Sequence, residues 1–389
     1  MATRRTKTSR ARRSSGAAAR GASVAWLLAL LVLAAGGAGA WYRLRARVLA
    51  RHAAPPAPGA APAPKLAASP PSVRPAAPEP ARAPAAAASL PAEPVVKFAA
   101  PDVYPRPPAS WLEAQVALAR RGFSCGPIDG VGGAQTLAAW QAFQAQEGLP
   151  ETRWLDPRTC AALPLAEPAT TKYTVSAPDL ARLQPLSPTW LGKSEQTALE
   201  FETLLELVAE RHRAHPRLLQ KLNPDFDWER AAVGSVVAVP AALRAGPRTR
   251  AAALHVQIAA NTLQAYDAEG RIIAHFPVSI ARKVEKRPVG ELHVTVVIPD
   301  PNYTFDPEVF PESAEGRELG RRLVVPPGPN NPVGVAWIGL DRTGYGIHGT
   351  PNPEQVGRTE SHGCFRLANW DARTLLDIAW VGLPVYVDP

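Results

Sequence analysis

The C-terminal third of the chain alternates between apolar and polar positions. Between residues 254 and 258 every second residue is apolar, and segments 272–280 and 292–298 continue the pattern. A period of two is typical of a half-buried β-strand, and Pro- and Gly-rich connections between such strands favour a sandwich or barrel. We therefore predict a mainly-β, sandwich-like domain over residues 251–389.

One helix is also predicted near the end of this domain. Asn369 can cap it, and Leu375, Leu376 and Ala379 give it an apolar stripe. Gly382 and the proline two residues later would end it.

A second pattern, with helical spacing, covers residues 109–165. Apolar positions recur every three or four residues from 111 to 119 and again from 136 to 144, and the Gly-rich turn "GPIDGVGG" separates the two stretches. We predict a small all-α domain here. 

Near the N-terminus, residues 22–42 form a run without charge. A helix of this length, at ~1.5 Å per residue, reaches about 30 Å, which is one hydrocarbon thickness. Seven Lys/Arg precede the run and four follow it closely, so the positive-inside rule places the basic tail, residues 1–21, in the cytoplasm. The alternative is a cleaved signal peptide, because Ala38-Gly39-Ala40 fits a cleavage site.

Residues 43–108 are dominated by Ala and Pro. Such a segment cannot bury enough apolar surface to offset the entropy of ordering it, so we predict a disordered linker.

The net charge of +9 first suggests a nucleic-acid partner. Residues 1–51, however, carry 11 Lys/Arg and no Asp/Glu, and subtracting these from +9 leaves −2 for the remainder. The basic excess is a terminal feature, and no nucleic-acid partner is expected.

The candidate chemistry lies in a Gly-rich segment near the C-terminus. Cys364 has His348 sixteen residues before it and His362 two residues before it. At an unperturbed pKa near 8.5 only ~3% of a thiol is ionised at pH 7, so a nucleophilic cysteine needs a neighbouring base. The same three residues could instead hold a zinc ion with one open position.

The motifs "IHGT" (Ile347 to Thr350) and "SHGCFRL" (Ser361 to Leu367) decide between these alternatives. Their sequence and spacing are similar to the signature of the L,D-transpeptidase catalytic domain, found in bacterial enzymes that build cross-links in peptidoglycan. The resemblance extends upstream to Ala253. It implies cysteine catalysis with no metal and no organic cofactor.

The resemblance also implies roles for individual residues. Cys364 would be the nucleophile and His348 the general base, oriented by the backbone carbonyl of Gly349. Backbone N–H groups around His362, Gly363 and Cys364 would form the oxyanion hole. The remaining candidates would hold the loop or bind substrate: Arg366, Ser361, Asn352, Tyr303 and Trp337.

Two further resemblances concern the segments before the catalytic domain. Residues 122–163 resemble the peptidoglycan-binding repeat of cell-wall enzymes. Residues 170–242 resemble a degenerate, α+β LysM-like glycan-binding module, in which about 20 additional residues separate the first strand from the first helix. Together with the transmembrane anchor, these segments imply a multidomain protein whose partners are peptidoglycan and the bacterial inner membrane.

Two cysteines, Cys125 and Cys160, lie at either end of the helical domain. In an exported chain they can form a disulfide. The alternative is two buried thiols without a bond.

The implied reaction is acyl transfer from a donor tetrapeptide stem, with release of D-alanine, through a thioester on Cys364 to an acceptor amine. The product would be a 3→3 cross-link or an attached wall protein. The alternatives are an L,D-carboxypeptidase, in which water replaces the amine, and a non-catalytic wall-binding scaffold. The catalytic domain would act in the periplasm or cell wall, anchored by one membrane pass or released after signal-peptide cleavage.

Overall fold

The structure is a computed structural model, and it describes residues 103–242, 249–281, 287–310, 312–358 and 363–389. The predicted basic tail, the anchor and most of the linker lie outside these residues. In the ranges that the structure describes, no helix has both the length and the apolar character needed to cross a membrane.

The first unit is helical, as the spacing of its apolar residues predicts. Ser110 caps the first helix by accepting a hydrogen bond from the backbone N–H of Glu113, and Asp156 caps the third by accepting from Thr159. The helices enclose a core around the fully buried Trp140 and Phe143. Their bounds are α1 Trp111–Arg120, α2 Ala134–Gln146 and α3 Pro157–Ala162.

This unit begins earlier than the sequence pattern indicates. The backbone of Arg106 pairs with that of Leu165 at 3.0 and 2.8 Å, and its guanidinium donates to Glu113 at 2.9 Å. Composition alone assigns Arg106 to the linker, but the ion pair with Glu113 on α1 fixes this last part of the Pro-rich segment against the helices.

The predicted disulfide between Cys125 and Cys160 is wrong in this structure, because both thiols are free. Each is a buried member of the helical unit's apolar core, with 4% and 5% of its surface exposed. Burial raises the pKa of both thiols, that of Cys160 to about 12. Here the two cysteines act as small apolar residues, which is the alternative that the sequence left open.

A second unit, here called the middle unit, spans residues 170–240. Two antiparallel strands pair in register from Thr170 with Pro240 to Thr174 with Val236. Its apolar core includes Leu207, Leu219 and Val239. Its elements are β1 Thr170–Thr174, α4 Ala177–Ala181, α5 Trp190–Glu195, α6 Leu204–Arg211, α7 Pro216–Leu222 and β2 Val236–Pro240.

The third unit holds the large sheet. Its strands follow the order β11-β10-β9-β6-β12-β3-β4-β5, and a separate pair, β7 and β8, lies in the connection between β6 and β9. The bounds are β3 Ala253–Gln257, β4 Thr262–Tyr266, β5 Ile272–Pro277, β6 Gly290–Pro299, β7 Tyr303–Phe305, α8 Ala314–Leu319, β8 Leu323–Val325, β9 Ala336–Leu340, β10 Gly346–His348, β11 Phe365–Arg366, α9 Asn369–Ile378 and β12 Pro384–Asp388.

The prediction of a mainly-β domain is confirmed, and its large sheet has two parts that share the long strand β6. The long strand β6 pairs with β12 through its first half and with β9 through its second half, with a register shift between Val294 and Val296. At the far ends of the strand order, Ser279 and Arg366 exchange backbone hydrogen bonds of 2.9 and 3.0 Å. The sheet therefore curls round a single core.

Helix α9 packs on this core through Ala372, Leu375 and Ile378. Of the predicted stripe, Leu375 is buried, and Leu376 and Ala379 are partly buried against the core. Its N-cap residue, however, is Ala368, and Asn369 makes no capping hydrogen bond. The Asn369 amide instead donates to groups outside the helix, Glu210 and the carbonyl oxygen of Pro329.

The helical unit docks on β5, the edge strand of the sheet. Ser124 donates to the carbonyl of His275 at 2.8 Å, and His275 donates to Gly122 at 2.9 Å. Gly122 has φ +90, and a Cβ there would lie 2.7 Å from the carbonyl oxygen of Ile273, so this close approach requires glycine. The contact covers part of an edge that would otherwise expose unpaired backbone groups.

Candidate active site

The candidate catalytic residues share one face of the curled sheet. Strand β10 lies between β9 and β11, and His348 is directly opposite Trp337 on one side and Arg366 on the other. Cys364 comes one residue before β11, which places it beside Gly346. Side chains two apart on a strand point to the same side, so Cys364 and His348 project from the same face.

The opposite face explains why this orientation is fixed. Ile338, Ile347 and Phe365 alternate with the candidate residues and are buried in the domain core. A slip of one residue would move these apolar side chains out of the core, so the hydrophobic pattern sets the register. With strands about 4.8 Å apart and ~3.3 Å of rise per residue, the Cα atoms of His348 and Cys364 are roughly 8 Å apart, which their side chains can bridge.

The imidazole of His348 is held by its own neighbour. Its Nδ1 lies 2.6 Å from the carbonyl oxygen of Gly349, so a neutral ring donates Nδ1–H there and keeps its lone pair on Nε2. The indole of Trp337 stacks on the ring, with centroids 5.8 Å apart. Burial lowers the pKa of His348 to about 4, with a further lowering by the charge of Arg366. At neutral pH Nε2 is therefore ready to accept a proton.

The thiol of Cys364 is half-buried. Its Sγ lies 3.6 Å from the carbonyl oxygen of Gly344, and the backbone N–H of Gly346 is placed to donate to the thiolate. Burial raises the pKa of Cys364, while the Gly346 N–H and the guanidinium of Arg366 oppose the rise. The backbone just before β10 thus supplies an acceptor for the thiol, and the first residue of β10 supplies a donor for the thiolate.

These pKa shifts change the expected resting state. Proton transfer from Cys364 to His348 is unfavourable, because burial disfavours both the thiolate and the imidazolium. The directions of the two shifts favour a neutral thiol beside a neutral imidazole.

The β7–β8 pair, here called the flap, carries Tyr303, which lies within electrostatic reach of Cys364. Burial raises the pKa of Tyr303 to about 12, and the negative charge of the Cys364 thiolate adds to the rise, which places this phenol near the thiol. Trp190, from the middle unit, stacks on Phe305 with ring centroids 4.4 Å apart and packs against Tyr303 at 6.0 Å. The additional residues between β1 and α6 therefore reach the flap.

Glu315 fixes this contact from the flap side. Its carboxylate accepts the backbone N–H groups of Trp190 and Leu191, at 2.9 and 2.8 Å, at the start of α5. Sequence reasoning missed both Trp190 and Glu315; the only signal for them was the extra length of the segment that contains Trp190.

The remaining predicted site residues are Ser361, His362, Gly363 and Asn352. Ser361 and His362 lie outside the described residues. Gly363 is half-buried, and a Cβ there would lie 3.8 Å from the ring of Tyr345. Asn352 is exposed, and its backbone N–H donates to Thr350 Oγ1 at 3.3 Å. In the part of the chain that the structure describes, no group of three or more His, Cys, Asp or Glu side chains could hold a metal ion.

Comparison with protein families assigns two of the three units. Residues 251–387 match the model of the L,D-transpeptidase catalytic domain, and residues 108–163 match that of a peptidoglycan binding domain. The chain carries an L,D-transpeptidase catalytic domain. The face that holds Cys364 and His348 lies within it.

Proteins similar to this chain are also named L,D-transpeptidases. The protein named L,D-transpeptidase YkuD of Bacillus licheniformis is 27% identical over 188 residues, which cover 48% of this chain and 94% of the relative. The protein named L,D-transpeptidase YqjB of Bacillus subtilis is 31% identical over 124 residues, which cover 31% of this chain and 61% of the relative. Among solved structures, an L,D-transpeptidase from Mycobacterium smegmatis aligns with 40% of this chain and 66% of that chain, at 20% identity and a TM-score of 0.28.

Proposed function

We propose that this protein is a peptidoglycan L,D-transpeptidase with Cys364 as nucleophile and His348 as general base. One observation carries the assignment of roles. The Nδ1 of His348 is 2.6 Å from the Gly349 carbonyl oxygen, and the half-buried Cys364 stands on the same face of the adjoining strand.

In the first half of the reaction, the Cys364 sulfur attacks the carbonyl carbon of the third residue of a donor tetrapeptide stem. As the S–C bond forms, His348 Nε2 takes the thiol proton. The C–N bond to D-alanine then breaks, and the imidazolium returns that proton to the leaving amine. A thioester on Cys364 remains.

In the second half, an acceptor amine attacks the thioester and gives its proton to His348. The C–S bond breaks, the thiol is regenerated, and a new amide joins the two stems. Backbone N–H groups of Gly363 and Cys364, with that of His362, are proposed to stabilise the oxyanion in both halves. Arg366, on the same face as Cys364, is proposed to bind a substrate carboxylate.

The accessory segments support an enzyme that works at the wall. We propose that the helical unit binds peptidoglycan and that the middle unit is a LysM-like module. An N-terminal membrane anchor followed by the Ala/Pro-rich linker would place the catalytic domain in the periplasm. Such modules raise the local concentration of a substrate that the catalytic site binds weakly.

Product analysis tests the proposal. The purified protein is incubated with tetrapeptide-containing muropeptides, and the products are separated and weighed by mass spectrometry. We expect free D-alanine and cross-linked dimers from the wild type and neither from Cys364→Ala, whose folding is checked by circular dichroism. Tripeptides without dimers would instead indicate an L,D-carboxypeptidase, and cross-linking by Cys364→Ala would exclude the proposed nucleophile.

A further inference from the structure

The backbone that orients the catalytic base is packed against one amide side chain. A Cβ added to Gly349 would lie 2.3 Å from Asn369 Oδ1, and one added to Gly334 would lie 2.0 Å from the same atom. The Asn369 amide is therefore in direct contact with the peptide backbone that bears the carbonyl acceptor of His348. A shift of this amide would move that acceptor.

The Asn369 amide is itself held by partners on every side. Oδ1 accepts the backbone N–H of Val335 at 3.3 Å, and Nδ2 donates to the carbonyl oxygen of Pro329 at 3.0 Å. The second Nδ2 hydrogen is donated to Glu210 Oε2 at 2.9 Å. Both donors and the acceptor of the amide are thus used.

Glu210 is the one of these partners that belongs to another unit. It lies on α6 of the middle unit, at a cavity of about 690 Å³ between that unit and the catalytic domain. Burial raises the pKa of Glu210 to about 7, against the opposing effect of its hydrogen bond with Asn369. Glu210 is half-buried, and its carboxylate reaches from the middle unit to the Asn369 amide of the catalytic domain, which favours a positional role.

The orientation of the Asn369 amide follows from Glu210. The Glu210 oxygen that faces Asn369 accepts its Nδ2–H, and in the ionised form the carboxylate can only accept. It therefore selects the orientation that turns Nδ2 toward Glu210 and Oδ1 toward Val335 and Gly349. Without that acceptor, one Nδ2 hydrogen loses its partner and the reversed amide competes.

We propose that Glu210 is a positioning residue for the catalytic base. Through Asn369 it fixes the backbone of Gly349, and the Gly349 carbonyl in turn fixes the ring of His348. The middle unit thereby contributes to catalysis as part of the active-site support, in addition to any binding of glycan. The inference deepens the proposed function and rests on His348 as its base.

The test compares Glu210→Ala with Glu210→Gln in the full chain. The glutamine side chain keeps an acceptor oxygen at the same reach, and alanine removes it. Glu195→Ala, an exposed acid of the same unit, is the matched control. We expect kcat for cross-linking to fall about tenfold in Glu210→Ala with KM within about twofold, while Glu210→Gln and Glu195→Ala remain within about twofold of wild type.

A second readout needs no substrate. Hydrogen exchange of the His348 Nδ1–H is followed by NMR, with the resonance assigned by its loss in His348→Gln. We expect faster exchange in Glu210→Ala and unchanged exchange in Glu210→Gln, at thermal midpoints close to wild type. Unchanged exchange in Glu210→Ala would overturn the inference. An equal loss of cross-linking activity in Glu210→Ala and Glu210→Gln would also overturn it. A wild type without cross-linking but with this exchange pattern would refute the proposed function and leave the inference standing.

Discussion

At the scale of single residues, the pKa values of His348 and Cys364 are shifted by burial more than by neighbouring charges. His348 is 7% exposed, and its neutral form is maintained by desolvation and by Arg366. The same burial raises the pKa of Cys364, although Gly346 and Arg366 oppose the rise. The resting enzyme is therefore expected to be less reactive toward simple electrophiles than a cysteine enzyme with a preformed ion pair.

Alkylation by iodoacetamide checks this resting state. Because the thiolate reacts and burial raises the pKa of Cys364, we expect the labelling rate to keep rising with pH to a midpoint above the ordinary thiol value of about 8.5. Cys364→Ala is the control and should remain unlabelled in the folded protein, since Cys125 and Cys160 are buried. A rate that levels off below pH 7 would contradict the neutral pair.

The sequence could propose the reacting residues because they lie within one short segment. His348 and Cys364 are sixteen positions apart, and adjacent parallel strands bring them together. Their supports are not predictable in this way. The bonds from Trp190 to Glu315 and from Asn369 to Glu210 join residues 125 and 159 positions apart, and no local pattern marks such pairs. Asn369 has the signal of a helix cap, but tertiary partners take its side chain.

At the scale of elements, the flap depends on a helix from another unit. Helix α5 presents Trp190 to Phe305 and Tyr303, and Glu315 on α8 accepts its first N–H groups. The β7–β8 pair has only three residues in each strand, and a two-stranded pair of that size is not stable alone. The aromatic contact is therefore expected to hold the flap beside Cys364.

Trp190→Ala tests the role of this contact. We expect faster amide hydrogen exchange across residues 303–325 and a KM for donor stems raised about threefold to tenfold, because the flap loses a stacked aromatic pair worth about 1 kcal/mol beyond its buried area. Trp154→Ala, which removes a half-exposed tryptophan from the helical unit, is the control. Unchanged exchange in the flap would show that Trp190 does not support it.

At the scale of the whole molecule, the three units share buried polar contacts. Ser124 of the helical unit donates to Asp371 on α9 at 2.8 Å, and Ile128 donates to the backbone carbonyl of Arg213 in the middle unit at 2.7 Å. Asp371 is 1% exposed, and burial raises its pKa to about 7 against the opposing effects of Arg213 and Ser124. This carboxyl titrates at the junction of the units.

The junction makes stability depend on pH in a defined direction. The pKa of Asp371 is higher in the folded state than its unfolded value of about 3.9. Asp371 therefore stabilises the fold most below about pH 3.9, and this stabilisation is lost as the pH rises toward 7. Relative to Asp371→Asn, the wild type should lose roughly 3 kcal/mol of unfolding free energy between pH 4 and pH 7.

Urea unfolding of both proteins across this range measures the difference. Other buried groups that titrate here, such as Glu210 and His275, are common to both proteins and cancel. Asp377→Asn, at an exposed position of the same helix, is the control and should follow the wild type. Parallel curves for wild type and Asp371→Asn would contradict the assignment.

The central claim is that Cys364 receives the acyl group with His348 as its base. The most direct measurement is mass spectrometry of the intact protein after brief incubation with a tetrapeptide muropeptide, followed by peptide mapping. We predict an adduct equal to the donor without its D-alanine, located on Cys364, greatly reduced in His348→Gln and absent in Cys364→Ala. An adduct on another residue, or turnover with no covalent adduct under any quench condition, would contradict the account.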